Sequence, residues 1–109
     1  MATPHYQIIN DKTMSDELVI ITHYGINNQL KKLSEECFEL IEAVLKYEYG
    51  AGYSEVKAKE HICEELADCH VLLSQIQEFY NIEPDALRKE YDYKITRQLA
   101  RIMNEKKEL

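Results

Sequence analysis

The chain has few of the residues that break or staple a fold. Its 109 residues include three glycines, two prolines and three cysteines. An odd number of cysteines (Cys37, Cys63, Cys69) without framework spacing argues against a disulfide scaffold and for buried free thiols in a reducing cytoplasm. No long hydrophobic run occurs. The longest early one, Leu18 to Ile21, falls far short of the roughly 20 residues needed to span a bilayer. The opening Met1 to Asn10 lacks a basic region followed by a long apolar stretch, so no secretory signal is expected. Basic residues are scarce, 13 Lys and Arg against 20 Asp and Glu, with a net charge of −7. That balance argues against nucleic acid as a partner, since phosphate contacts need a Lys/Arg face. A small nucleotide bound through a metal ion stays compatible, because the cation reverses the local field. Nothing alternates with period two over the length of a strand, so no sheet is expected.

A chain of this length, 45% hydrophobic, suits one domain over residues 1–109. At that size about two-thirds of the unfolded surface can be buried. Residues 1–14, containing Pro4, read as an irregular leader. Ser15 suits the N-cap of a short helix from about Asp16 to Tyr24, which Gly25 ends or kinks. A second helix is expected from about Asn27 to Tyr49, with Ile26, Leu30, Leu33, Cys37, Leu40, Ile41 and Val44 as its apolar stripe. Tyr49-Gly50-Ala51-Gly52-Tyr53 interrupts the chain. A third helix, about Ser54 to Tyr80, carries Ile62, Leu66, Cys69, Leu73, Ile76 and Tyr80. Pro84 is placed for the first turn of a fourth helix reaching Lys106, with Leu87, Tyr91, Ile95, Leu99 and Ile102 on one side. The expectation is an all-α fold resembling a four-helix bundle.

Two acidic signatures are written into these apolar helices: Glu35-Glu36-Cys37-Phe38-Glu39 and Glu64-Glu65-Leu66-Ala67-Asp68. Carboxylates three residues apart share a helix face, about 5–6 Å apart at Cβ. Two such helices packed together would gather four acids, and their repulsion makes the cluster costly unless a cation occupies it. Magnesium and a phosphorylated substrate are the natural inference. A weak internal repeat strengthens it. A shift of 29 positions lays Leu33, Glu36, Cys37, Glu39 and Val44 on Ile62, Glu65, Leu66, Asp68 and Leu73. In both copies the acids sit about 60° and 120° from the stripe centre, at its shoulder and not opposite it as a solvated face would. Two shoulders can meet between the helices, and Ala43 leaves room beside them.

Glu36-x-x-Glu39 followed by Glu65-x-x-Asp68 on consecutive helices resembles the ExxE…ExxD signature of the MazG-like nucleotide pyrophosphohydrolases. Gln29-Leu30, Leu33-x-Glu35-Glu36 and Lys94-Ile95-x-Arg97-x-x-x-Arg101 are similar as well, so the likeness covers about Tyr24 to Ile102. The resemblance implies an all-α homodimer or homotetramer that hydrolyses a nucleoside triphosphate (NTP or dNTP) at the α–β phosphate bond to monophosphate and pyrophosphate. It implies Mg²⁺ as cofactor, with Mn²⁺ as a substitute, and Glu36, Glu39, Glu65 and Asp68 as its ligands. Such a set suits a hard cation that bridges substrate phosphates. Glu35 is the candidate for assisting the attacking water, although its place about 160° from the stripe centre works against that role. Lys94, Arg97 and Arg101 form one ridge suited to substrate phosphates, and equally suited to pairing with Glu90 or Glu105. Lys32, one turn before Glu36, can reach phosphate or neutralise the cluster. Gln29, on the same shoulder, can contact a base or ribose.

Other readings are weaker. Phosphoribosyl-ATP pyrophosphatase has similar acids, but its usual N-terminal pattern is not seen here and the Tyr-rich turn fits it less well. A di-iron carboxylate bundle needs Glu-x-x-His motifs, and no histidine has a Glu three residues before it. His61, Cys63, Cys69 and His70 lack ordinary zinc-ligand spacing. His23 suits a helix end. Tyr47, Tyr49 and Tyr53 suit a core or a subunit interface better than a base stack. A non-catalytic helical dimerisation or adaptor module is the remaining alternative.

Overall fold

A computed structural model describes residues 14–50, 52 and 54–108, with the backbone alone at 108. The leader expected over 1–14 lies, but for Met14, outside the described residues, as does Tyr53. Among the described residues four helices follow in order: α1 (Asp16–Tyr24), α2 (Ile26–Tyr49), α3 (Glu55–Phe79) and α4 (Pro84–Glu108). No strand occurs among the described residues, so the protein is all-α.

Local chemistry sets the helix ends. Ser15 Oγ accepts from the Leu18 N–H at 3.1 Å, satisfying one of the free donors of α1. Asp16 and Glu17 in the first turn complement its dipole. Gly25 separates α1 from α2 with φ 91 and ψ 150, a region essentially restricted to glycine. Its N–H donates to the Ile21 carbonyl at 2.8 Å. Ser54 caps α3 through the Lys57 N–H. After α3 the chain turns at Asn81, whose φ of 53 is a left-handed value that asparagine tolerates. Pro84 then opens α4, where its missing N–H has no intrahelical partner to lose.

α2 and α3 form an antiparallel hairpin with the most extensive packing in the chain. α1 lies mainly against α3, where Ile21 is wholly buried. Ser15 Oγ also donates to Glu78 Oε1 at 2.7 Å, fastening the start of α1 to the end of α3. α4 stands away from this body, and its residues are exposed from Pro84 to Lys107. The radius of gyration, 18.5 Å, accordingly exceeds the roughly 13 Å of a compact chain of about this length. No described helix is long and apolar enough to cross a membrane.

The buried faces differ from those expected. On α2 the buried residues are Gln29, Glu36 and Ala43, at steps of seven. Leu30, Cys37, Ile41 and Val44, expected in the core stripe, are exposed. On α3 the buried set is Ala58, Glu65, Cys69, Leu72 and Gln75, while Leu66, Leu73 and Tyr80 are exposed. The apolar stripe is wider than one helix–helix contact. Its acid-flanked edge turns into the α2–α3 seam, where small residues such as Ala43 and Ala58 allow close approach, and the other edge stays outside. The thiols follow the same rotation: Cys69 is buried, but Cys37 and Cys63 are exposed and not in the core as expected.

Candidate metal centre

The hairpin register sets Glu36 of α2 across from Glu65 and Asp68 of α3. One carboxylate oxygen from each of these three lies within 4.8 Å of the other two. Glu39, one turn along α2, is close enough to both buried glutamates for its charge to act on them. Three of the four acids singled out from the sequence therefore converge, with Glu39 beside them. Their environments differ. Glu36 and Glu65 are each only 8% exposed, whereas Glu39 and Asp68 are exposed at the rim.

Burial, followed by the charges of Glu39 and Asp68, pushes the Glu36 carboxyl up to about 7. Burial also raises the Glu65 carboxyl, again with Glu39 and Asp68 adding and His61 opposing. Two nitrogen-bearing side chains touch the cluster from outside: Lys32 Nζ is 3.8 Å from Glu36 Oε1, and His61 Nε2 is 3.7 Å from Glu65 Oε1. The remaining oxygens, Glu36 Oε2 and Glu65 Oε2, are buried and have no hydrogen-bond partner among the described residues. Folded proteins rarely leave buried polar atoms unmatched. Hard oxygen donors converging from two helices, two of them orphaned, fit a divalent cation of the Mg²⁺ or Mn²⁺ kind.

A cavity of about 280 Å³ adjoins the acids, lined by Gln29, Lys32, Glu36, Asp68, Val71, Leu72 and Gln75. A neighbouring cavity of about 380 Å³, lined by Tyr24, Asn28, Gln29 and Lys32, shares two of those residues and extends the trough toward the end of α1. Between them lies a buried amide pair, in which Gln29 Nε2 donates to Gln75 Oε1 at 2.9 Å. A larger hollow of about 530 Å³ occurs at the α3–α4 junction, lined by Gln77, Pro84, Leu87, Arg88 and Tyr91. It is open, with no acid among its lining residues, so the chemistry points to the smaller trough.

Other residues expected at the site are not brought there within one chain. Lys94, Arg97 and Arg101 are exposed on α4, and the Arg97 guanidinium lies 5.6 Å from the Tyr93 ring centre. Glu35 is exposed and is not among the carboxylates acting on Glu36 or Glu65. Among the described residues the metal-capable group is made of carboxylates alone, and His61 turns to Glu65. Tyr47 Oη donates to Glu55 Oε1 at 2.9 Å, beneath Lys59, and Tyr49 is exposed. His23 meets Tyr24 edge-on with ring centres 4.7 Å apart. Two participants were not anticipated, His61 as the neighbour of Glu65 and Gln75 as the partner of Gln29. The 29-residue repeat already carried the first signal, since it maps Lys32 onto His61.

No protein-family model, curated protein or solved structure matches this chain.

Proposed function

We propose that the protein is a Mg²⁺-dependent nucleoside triphosphate pyrophosphohydrolase of the MazG-like kind, acting in the cytoplasm. The observation that carries this reading is the pair of buried oxygens, Glu36 Oε2 and Glu65 Oε2, that find no hydrogen-bond partner among the described residues, inside a cluster that Asp68 completes. A solvated acidic surface would leave no such atoms. Further support comes from the order and spacing of Glu36-x-x-Glu39 and Glu65-x-x-Asp68 on consecutive helices, and from the trough beside them.

In this reading Glu36, Glu39, Glu65 and Asp68 hold the metal. When bound, the ion supplies electrostatic stabilisation of phosphate charge and lowers the pKa of a coordinated water. The net reaction consumes one water and breaks the bridge between the α and β phosphates, releasing monophosphate and pyrophosphate. Lys32, half-exposed at the edge of the trough, offers a cation to phosphate oxygens. Gln29 and Gln75 offer amide donors and acceptors to a base or ribose. Buried between the helices, these groups hold fixed positions and need little reorganisation on binding.

The reading includes a homodimer or homotetramer. The exposed apolar edges of α2 and α3, together with the unpacked α4, leave a fourth bundle position to be filled by a second copy. Such a copy would also supply the Lys94, Arg97 and Arg101 ridge to the neighbouring site, something that α4 does not do within its own chain.

The deciding experiment is pyrophosphate release from a panel of NTPs and dNTPs, with Mg²⁺ and with EDTA. Metal-dependent release with monophosphate as co-product is expected, together with its loss in Glu36→Gln and Asp68→Asn variants that keep their helical signal. Turnover of phosphoribosyl-ATP alone would reassign the substrate. Absence of turnover on every triphosphate and on phosphoribosyl-ATP, or unchanged activity in both variants, would favour the adaptor alternative.

A further inference from the structure

Lys32 with Glu36 on α2, and His61 with Glu65 on α3, are one arrangement built twice. The 29-position shift that relates the acids also carries Lys32 to His61, Glu36 to Glu65 and Glu39 to Asp68. In each copy a nitrogen-bearing side chain stands one helical turn before its glutamate. Lys32 Nζ lies 3.8 Å from Glu36 Oε1, and His61 Nε2 lies 3.7 Å from Glu65 Oε1. In each copy the carboxylate oxygen not facing that nitrogen is the buried one, without a partner among the described residues. The outer groups are half in solvent, with side-chain exposures of 58% for Lys32 and 42% for His61, against 11% for either glutamate.

Each contact offsets part of the repulsion within the cluster, but with the outer group half in solvent it does so weakly. Simple charge argues against it at a cation site, because a positive group beside a metal ligand repels the ion. Orientation accounts for both copies at once. A glutamate has three rotatable bonds, so its carboxylate swings unless one oxygen is held, and groups behind a metal ligand commonly serve to hold it.

We propose that Lys32 and His61 are a matched pair of positioning residues, each holding the outer oxygen of its glutamate so that the buried oxygen is presented to the divalent ion. The proposal rests on the metal reading above and adds the device that aims its two buried ligands. His61 is the sharper probe, because Lys32 also lines the trough next to the acids and His61 does not.

The test is Mn²⁺ binding to the full chain without nucleotide, by electron paramagnetic resonance or calorimetry, for wild type, Lys32→Met, His61→Leu and the exchange Lys32→His with His61→Lys. Circular dichroism melts establish that each is folded. Positioning predicts that either single substitution weakens Mn²⁺ about tenfold or more, the usual scale for groups behind a metal ligand. It also predicts that the exchange returns affinity to within about threefold of wild type, because the two places are equivalent. Charge removal alone predicts the opposite sign, tighter binding in Lys32→Met. Unchanged or tighter Mn²⁺ in Lys32→Met and His61→Leu would overturn the proposal while leaving the metal site standing, as would an exchange no better than the single variants. A wild-type chain that takes up no Mn²⁺ would overturn both readings together.

Discussion

Glu36 and Glu65, on different helices, bring carboxylate oxygens within 4.8 Å of each other, and each keeps its Oε2 buried without a hydrogen-bond donor among the described residues. Burial and the neighbouring charges of Glu39 and Asp68 disfavour the ionised form of Glu36, which makes the metal-free protein sensitive to pH. The Glu36 carboxyl, raised by burial to about 7 from an ordinary 4.5, holds a proton in the folded state that the unfolded chain has already released. Between those values the folded state binds more protons, so stability falls as pH rises through the window. Below about 4.5 both states are protonated and the penalty is absent.

The expected outcome is a melting temperature in EDTA that declines between pH 5 and pH 8 more steeply in wild type than in Glu36→Gln. Saturating Mn²⁺ should offset the decline, by about 2.7 kcal/mol at a hundred times the dissociation constant. Parallel profiles for wild type and variant, measured by circular dichroism, would contradict the assignment of this titration to Glu36.

The Gln29–Gln75 hydrogen bond joins the start of α2 to the end of α3 across 46 residues, in a seam where Gln75 is only 2% exposed. Gln29→Leu leaves a buried amide unmatched, at a cost of about 1–3 kcal/mol. Adding Gln75→Leu removes the orphan, so the double variant should be destabilised by less than the sum of the singles. Urea titrations of the four proteins provide the cycle. Additive losses would mean that the two amides do not depend on each other.

Gly25 turns the chain between α1 and α2 with φ 91 and ψ 150. A Cβ there would meet no neighbouring atom, so any cost of Gly25→Ala comes from the backbone conformation itself. That cost should be about 1–3 kcal/mol, seen as a lower urea midpoint with an unchanged slope. A neutral effect would show that the α1–α2 junction relaxes to an ordinary backbone conformation.

Leu99 and Ile95 of α4 lie on an exposed apolar side, uncovered by the other described residues. If a second copy supplies that cover, Leu99→Asp should shift the protein from dimer or tetramer toward monomer in sedimentation velocity. Helical content should be retained, because α1, α2 and α3 pack without α4. A wild-type chain that is monomeric at high micromolar concentration would exclude the second copy.

Local patterns along the chain are enough to place the helices and to pick out Glu36, Glu65 and Asp68, the acids that converge. Ser15, Gly25, Gly50 and Pro84 mark helix ends through backbone chemistry that acts over a few residues, so the limits of α1 and the start of α4 were legible directly. Glu36, Glu39, Glu65 and Asp68 were legible because helical periodicity places residues three apart on one face, and a repeat shows both faces to be alike. Which face turns inward was decided only by tertiary structure. Leu30, Ile41 and Leu73 carry the apolar signal, yet Gln29, Glu36 and Gln75 occupy the seam. The α2–α3 contact is narrower than the apolar stripe, and its position depends on where small residues allow two helices to approach. The pairing of Gln29 with Gln75, the burial that raises Glu36, and the hold of His61 on Glu65 all depend on that rotation, which no single-helix pattern contains.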